Sequence, residues 1–380
     1  MLDPEVWSAV PFHFWSVVAF VMGSMIGSFL NVCIYRMPLG MSIVHPRSHC
    51  PHCKHAIPAL LNIPLVTWLY LGGKCANCKA PISSRYFFVE LLTGLVFLFT
   101  WLRFGPASAG VAIAYCLLLA GFIVATFIDF EHFIIPDEIT FGGMGAGLVA
   151  SILVPEMHQA ASRPESLFRS MLGLGVGAGV VFAILKFGKL LFGREKLAFP
   201  ESSKLIFTET HLHLPDEERP FEDIFYSESD TIVLEAKHVE LIDRCYSNVT
   251  LRLSPKLLII GKEEFDPSQV KHMEVIADKA VLPREAMGFG DVKFMAAIGA
   301  FLGWQATIFS LMVSAVIGSF VGVSLILSGR KDWSSRLPYG PYIALAAIIW
   351  MVGGKDWFDS LFAVPGPEGM ELLLPPAPPQ

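Results

Sequence analysis

Two aspartates, Asp129 and Asp291, stand at the edges of long apolar runs and could act together. Asp129 closes "AGFIVATFID", and Asp291 sits in "GFGDVKFMAAIGAFLGW". A carboxylate at bilayer depth costs about 2.5–3.5 kcal/mol, so each position asks for a reason. Two close carboxylates cannot both ionise easily and tend to share a proton. One can then take a proton from water while the other donates one, the acid–base division of a carboxylate dyad. Gly288 and Gly290 would let the backbone bend and a substrate strand come close. Two plainer readings compete. Asp291 could only cap a helix, or the pair could hold an ion or relay protons. Asp137 and Glu131 are rivals to Asp129, although Pro136-Asp137 reads as the break and cap that start the next helix. Glu90, in "RYFFVELLTG", has Arg85, Lys293 or a substrate amine as candidate partners.

A second cluster is made of thiols. Cys50 and Cys53 form "CPHC" and Cys75 and Cys78 form "CANC", with 21 residues between the pairs. Two such knuckles supply four thiolates to one tetrahedral Zn2+. The spacing is slightly longer than in a plain zinc ribbon, and a redox dithiol pair is the alternative. A closed four-thiolate site is structural and folds a loop too short for its own core. His49, His52 and His55 are then bystanders or outer partners. Cys33, Cys116 and Cys245 read as ordinary buried residues.

These groups need a scaffold, and the composition says which kind. The 380 residues are 53% hydrophobic and only 16% charged, against about 25% charged in soluble domains. Residues 14–35, 108–128 and 305–328 carry no charge and reach the roughly 20 residues needed to cross hydrocarbon. Weaker candidates at 87–102, 139–155, 170–192, 291–304 and 338–354 bring the expectation to eight spans. The first is read as retained, since it lacks a basic n-region and a cleavage site. Arg36, Arg47, Lys54, Lys74, Lys79 and Arg85 fall between the first two spans, and Arg330, Lys331 and Arg336 after the seventh. The positive-inside rule puts those loops and residues 193–287 in the cytoplasm.

The fold expected is an all-α polytopic membrane protein with about eight transmembrane helices. A cytoplasmic zinc-binding loop and an inserted β-rich cytoplasmic domain are added to it. The regions are 1–35 (first span), 36–86 (four-cysteine loop), 87–192 (spans two to five), 193–287 (insert), 288–354 (spans six to eight) and 355–380 (a Pro-rich disordered tail). The insert shows period-2 alternation in stretches such as "TIVLEAKHVELI". Its acidic stretch "LPDEERPFEDIFYSESD" is a solvated surface or a face for a basic partner. No internal repeat is evident, and nothing points to nucleic acid.

Six stretches in order carry a family resemblance: "GSFLNVCIYRMP" (27–38), the double CxxC loop, "SSRYFFVELLTG" (83–94), "IDFEHFIIPDEIT" (128–140), "GFGDVKFMAAIGAFLGW" (288–304) and "LPYGPYIALAA" (337–347). Together they resemble the prepilin peptidases, or type IV leader peptidases, of the GxGD aspartic protease class. The resemblance implies cleavage after Gly of the leader of type IV prepilins or type II secretion pseudopilins. It places this chemistry at the cytoplasmic face of the bacterial inner membrane, with Asp129 and Asp291 catalytic. It also implies N-methylation of the new N-terminus with S-adenosylmethionine, associated with the region here at 36–86. No glycine-rich nucleotide fingerprint lies there, so the cofactor's binding residues stay unassigned. The insert departs from the family's short connection and could dock pilus or secretion machinery. Rival readings are a presenilin-like intramembrane protease, which would lack the CxxC loop, and a carrier using the aspartates as an ion site.

Overall fold

The computed structural model describes residues 11–215, 217–221, 224–225, 227–228, 230–284, 288–329 and 337–362. The chain forms two compact units, one made of residues up to 181 and from 289 onward, the other of residues 182–288. The first unit is helical. Helices α1 (Phe12–Arg36), α3 (Ser84–Phe104), α4 (Ala109–His132), α6 (Arg163–Phe192) and α8 (Trp304–Leu327) supply the five segments long and apolar enough to cross a membrane among the described residues. A short helix, α2 (Val66–Tyr70), lies in the four-cysteine region.

Eight spans were expected, and the other three positions hold shorter helices. These are α5 (Asp137–Leu153, 17 residues), α7 (Phe289–Leu302, 14 residues) and α9 (Gly340–Ile349, 10 residues). At about 1.5 Å per residue each alone is shorter than the roughly 30 Å of hydrocarbon, a mismatch that flanking residues or local bilayer thinning can absorb. A five-residue π-turn, Trp350–Gly354, extends α9 into α10 (Lys355–Phe362). Residues 355–362 are therefore helical, not tail. The rest of the expected tail, with Arg330, Lys331 and Arg336, lies outside the described residues.

Small residues let these helices approach closely, which is what drives packing where lipid and side chain are equally apolar. On α1, Gly27 faces α3 so tightly that a Cβ would sit 2.8 Å from the Cα of Glu90. Helix α7 is the most enclosed. Ten of its fourteen residues are buried, so it must be central to the body. Gly147 of α5 meets Ala300, and on α6 a Cβ at Gly173 would reach within 2.1 Å of the Gly299 carbonyl. The Ser170 hydroxyl donates to the Ala300 carbonyl at 2.7 Å. Asp291, in the first turn of α7, is thus carried by a helix fixed from two sides.

The second unit contains an eight-stranded antiparallel sheet in the order β3-β2-β1-β8-β4-β5-β6-β7. The strands are β1 (Arg194–Phe207), β2 (His211–His213), β3 (Glu218–Pro220), β4 (Ile232–Glu240), β5 (Cys245–Leu253), β6 (Leu258–Ile260), β7 (Glu263–Phe265) and β8 (Met273–Pro283). Along β8 burial alternates, as period-2 apolarity requires, and Leu205, Ile232, Leu234, Leu251, Val275 and Leu282 share one core. First and last strands pair, with Arg194 opposite Pro283, and the Arg284 N–H continues the ladder to the Gly193 carbonyl at 3.1 Å.

The unit is thus closed at its own neck. Replacing 196–282 with a short Gly/Ser linker changes closure entropy by only about 0.6 kcal/mol per halving of length. The helical unit is expected to stay folded and membrane-inserted, as measured by carbonate extraction and thermal melting of the helical signal. An aggregated product would show that the body needs the sheet.

Candidate active site and metal centre

Asp129 is 5% exposed and Asp291 8% exposed. Asp129 lies one turn before the end of α4, whose last carbonyls are closed by Phe133 in the left-handed region at φ 56°, with its N–H on the Asp129 carbonyl. The Asp129 side chain finds its donor far along the chain: the Gly340 N–H donates to Oδ2 at 2.8 Å, at the start of α9. Any larger residue at 340 would have to displace its neighbours, since a Cβ would meet that oxygen at 2.9 Å and the Ile135 Cδ1 at 3.1 Å. Ile135 is also what Gly290 packs against, where an added Cβ would lie 3.3 Å from the Ile135 Cβ. Gly290 and Gly340 therefore converge on one residue of the α4–α5 connection. Asp291 follows Gly290 directly in the first turn of α7, so the shared packing on Ile135 brings that turn towards the start of α9. Both carboxylates thus gather at the N-terminus of α9.

Gly290 serves this close approach, since a Cβ there would press on Ile135. Lys293 pairs with Asp137, and Arg85 pairs with Glu131. Asp137 stands in the first turn of α5 after Pro136 and is exposed, as is Glu131, so neither shares the buried setting of Asp129. Glu90 takes neither cation. Its Oε2 accepts the Leu65 N–H at 2.8 Å. Arg36, read from sequence only as a topogenic charge, is buried and donates to the carbonyls of Ser42 and Pro46 at 2.9 and 2.8 Å.

The four cysteines come together. One Sγ from each of Cys50, Cys53, Cys75 and Cys78 lies within 4.8 Å of the others, and no histidine joins the group. The two knuckles repeat one fold. Lys54 and Lys79 take left-handed φ of 57° and 60°, and the Cys50 and Cys75 N–H groups bond to the His55 and Ala80 carbonyls. Isolated antiparallel bridges, His49–Ala56 and Lys74–Pro81, frame them. Against the expectation of no internal repeat, the sequence carries this one as "CPHCKHAI" and "CANCKAPI". At Cys78 the Ala80 N–H is outweighed by desolvation and the three neighbouring thiols, which push it up to about 11. Donors prevail at two of the sulfurs: the His55 N–H, with Asn77 Nδ2 adding to it, pulls the Cys53 thiol down to about 6, and the Cys78 and Asn77 N–H groups lower Cys75. Such donors stabilise thiolates, the form a metal binds, so the set suits Zn2+. Of the remaining thiols Cys33 is buried and Cys116 half-buried, but Cys245 is exposed at the start of β5, against expectation.

Residues 21–104 match the family model described as the bacterial peptidase A24 N-terminal domain, and residues 116–199 and 258–323 match the type IV leader peptidase family. A leader peptide-processing enzyme for type 4 prepilin-like proteins from Escherichia coli O78:H11 is 38% identical over 199 residues, covering 48% of this chain and 71% of that protein. The chain belongs to the type IV leader peptidase family. A prepilin leader peptidase/N-methyltransferase of Aeromonas hydrophila is 28% identical over 94% of this chain and 98% of its own. One of the same name from Myxococcus xanthus is 46% identical over 37% of this chain and 42% of its own. No solved structure matches. The family match breaks off at 199 and resumes at 258, inside the sheet unit.

The purified protein is expected to carry about one Zn per chain, and Cys50→Ser or Cys75→Ser to lose it and loosen 36–86 to proteolysis, since metal binding supplies folding free energy. Elemental analysis and limited proteolysis check this; an intact loop without metal would contradict it. Gly340→Ala should push the Asp129 carboxylate off its donor and lower stability by about 1–3 kcal/mol, read as a reduced thermal midpoint.

Proposed function

We propose that the chain is a membrane aspartic endopeptidase that removes the leader of type IV prepilins or type II secretion pseudopilins after Gly. In this reading it then methylates the new N-terminus with S-adenosylmethionine as methyl donor. The observation that carries the peptidase half is the gathering of two buried carboxylates, Asp129 and Asp291, at the start of α9. One carboxylate takes the proton of a water that attacks the scissile carbonyl, and the other protonates the departing amine. The Gly340 N–H holds Asp129 in place through the cycle, so the dyad starts preorganised. Gly288, Gly290, Lys293 and Glu90 are positioning residues, Lys293 through its pair with Asp137 and Glu90 through Leu65.

The methylating half is supported by the names of the relatives, and Cys50, Cys53, Cys75 and Cys78 are proposed to hold the Zn2+ that shapes its region. Eight membrane crossings, with α5, α7 and α9 as short ones, put the dyad and the cysteine lobe at the cytoplasmic face of the bacterial inner membrane. The sheet unit is the surface through which pilus or secretion proteins would reach the enzyme.

Asp129→Asn and Asp291→Asn should each reduce prepilin cleavage by about 10²–10⁴-fold or more while leaving the inserted protein intact. The double variant should be no worse than either single, because the pair works as a unit. Mass analysis of prepilin products, with and without S-adenosylmethionine, reads both halves. Retained cleavage in either single variant would remove that residue from the dyad.

A further inference from the structure

The cysteine lobe between α1 and α3 has a surface that the chemistry above does not use. Residues 37–83 include Arg47, Lys54, Lys74 and Lys79 and not one aspartate or glutamate. All four cations are exposed. Between the two knuckles runs "ALLNIPLVTWLYL", residues 59–71, with no charge at all. Several of its apolar side chains face outward. Leu60 and Tyr70 are each 81% exposed and Leu69 62% exposed, and Val66 and Ile63 are exposed as well. Soluble surfaces rarely gather so many apolar side chains in one place unless they meet a partner or a membrane.

The attachment of this segment says what it meets. The Leu65 N–H reaches the Glu90 carboxylate, and Trp68 packs on Phe87 with ring centroids 5.2 Å apart. Glu90 is the seventh residue of α3, so it lies about 9 Å along the helix from its start. The segment carrying α2 therefore runs beside the first turns of a membrane-capable helix and not beyond its end. Beside it Phe88 of α3 is 59% exposed, so the apolar surface of the lobe continues that of the span. Interfacial elements bury an apolar face about 5–10 Å into the boundary of headgroups and acyl chains, with basic residues at anionic headgroups.

We infer that residues 59–71 form an interfacial anchor that seats the four-cysteine lobe in an anionic lipid surface beside α3. Leu60, Leu69 and Tyr70 enter the acyl boundary, and Arg47, Lys54, Lys74 and Lys79 meet lipid phosphates. The buried Glu90–Leu65 bond fixes the depth. This assignment needs α3 to sit in a membrane and does not depend on the dyad or on methylation.

The test uses the full chain in nanodiscs of equal parts phosphatidylglycerol and phosphatidylcholine. A photoreactive benzophenone residue replaces Leu60, Leu69 or Tyr70, one at a time, and irradiated protein is weighed. All three sites are exposed, so folding should survive, as unchanged helical circular dichroism would verify. Lipid adducts at two or more sites are expected. Cross-links to a second copy of the chain, or no adduct beyond solvent quenching, would overturn the anchor. In mixed nanodiscs the adducts should favour phosphatidylglycerol, and a variant combining Lys54→Gln, Lys74→Gln and Lys79→Gln should lose that preference several-fold. An unaltered preference would overturn the role of the lysines.

Discussion

A carboxylate carried into an apolar body must find a donor, and that requirement organises this structure. Asp129 meets it through the Gly340 N–H, at 2.8 Å. The bond ties the end of α4 to the start of α9 and leaves little room for a side chain at 340. Ile135 fills the space between Gly340 and Gly290, so the same small residues that admit the bond also bring in α7. Because α7 is locked by Gly147 and Gly173, Asp291 arrives at the site on a rigid support. Two separate requirements, donor satisfaction and close helix approach, thus meet at one place.

The same logic runs at the other buried acid. Glu90 sits on α3 and accepts the Leu65 N–H from the cysteine lobe. A lobe with little core of its own is held in two ways, by four thiols that converge inside it and by one buried carboxylate beneath it. Asn31 of α1 adds a bond from Nδ2 to the Tyr86 carbonyl at 3.0 Å, close to where α3 begins. Arg36, whose sequence position marks only topology, is committed to the Ser42 and Pro46 carbonyls, and Arg85, a candidate partner of Glu90, is committed to Glu131.

The sheet unit shows how an addition of this size is tolerated. Its ends leave side by side because β1 and β8 pair along most of their length. Its core is drawn from its own strands, so its stability does not depend on borrowing apolar surface from the helices.

Much of this was legible in one dimension because it depends on local properties. Uncharged runs near twenty residues mark α1, α4 and α8, since hydrocarbon sets a length. Thiol spacing marks the four-cysteine cluster, because a tetrahedral ion fixes how two short knuckles can share it. Alternation marks β4 and β8. Asp129 and Asp291 stood out because charge is rare beside such runs. Partner choice is not local. Glu90 had two candidate cations, Arg85 nearby and Lys293 far along the chain, and took a backbone N–H, since both cations are held by exposed acids on α4 and α5. Gly340 carried no sign of its role, because its N–H meets a carboxylate 211 residues away. The expected runs at 139–155 and 291–304 match α5 and α7 in length and are offset by two residues, whereas the run at 338–354 holds the shorter α9 and the π-turn after it. Apolar composition states that a segment is buried, whereas the way neighbouring helices close around it sets where the helix starts, stops and places its carboxylate.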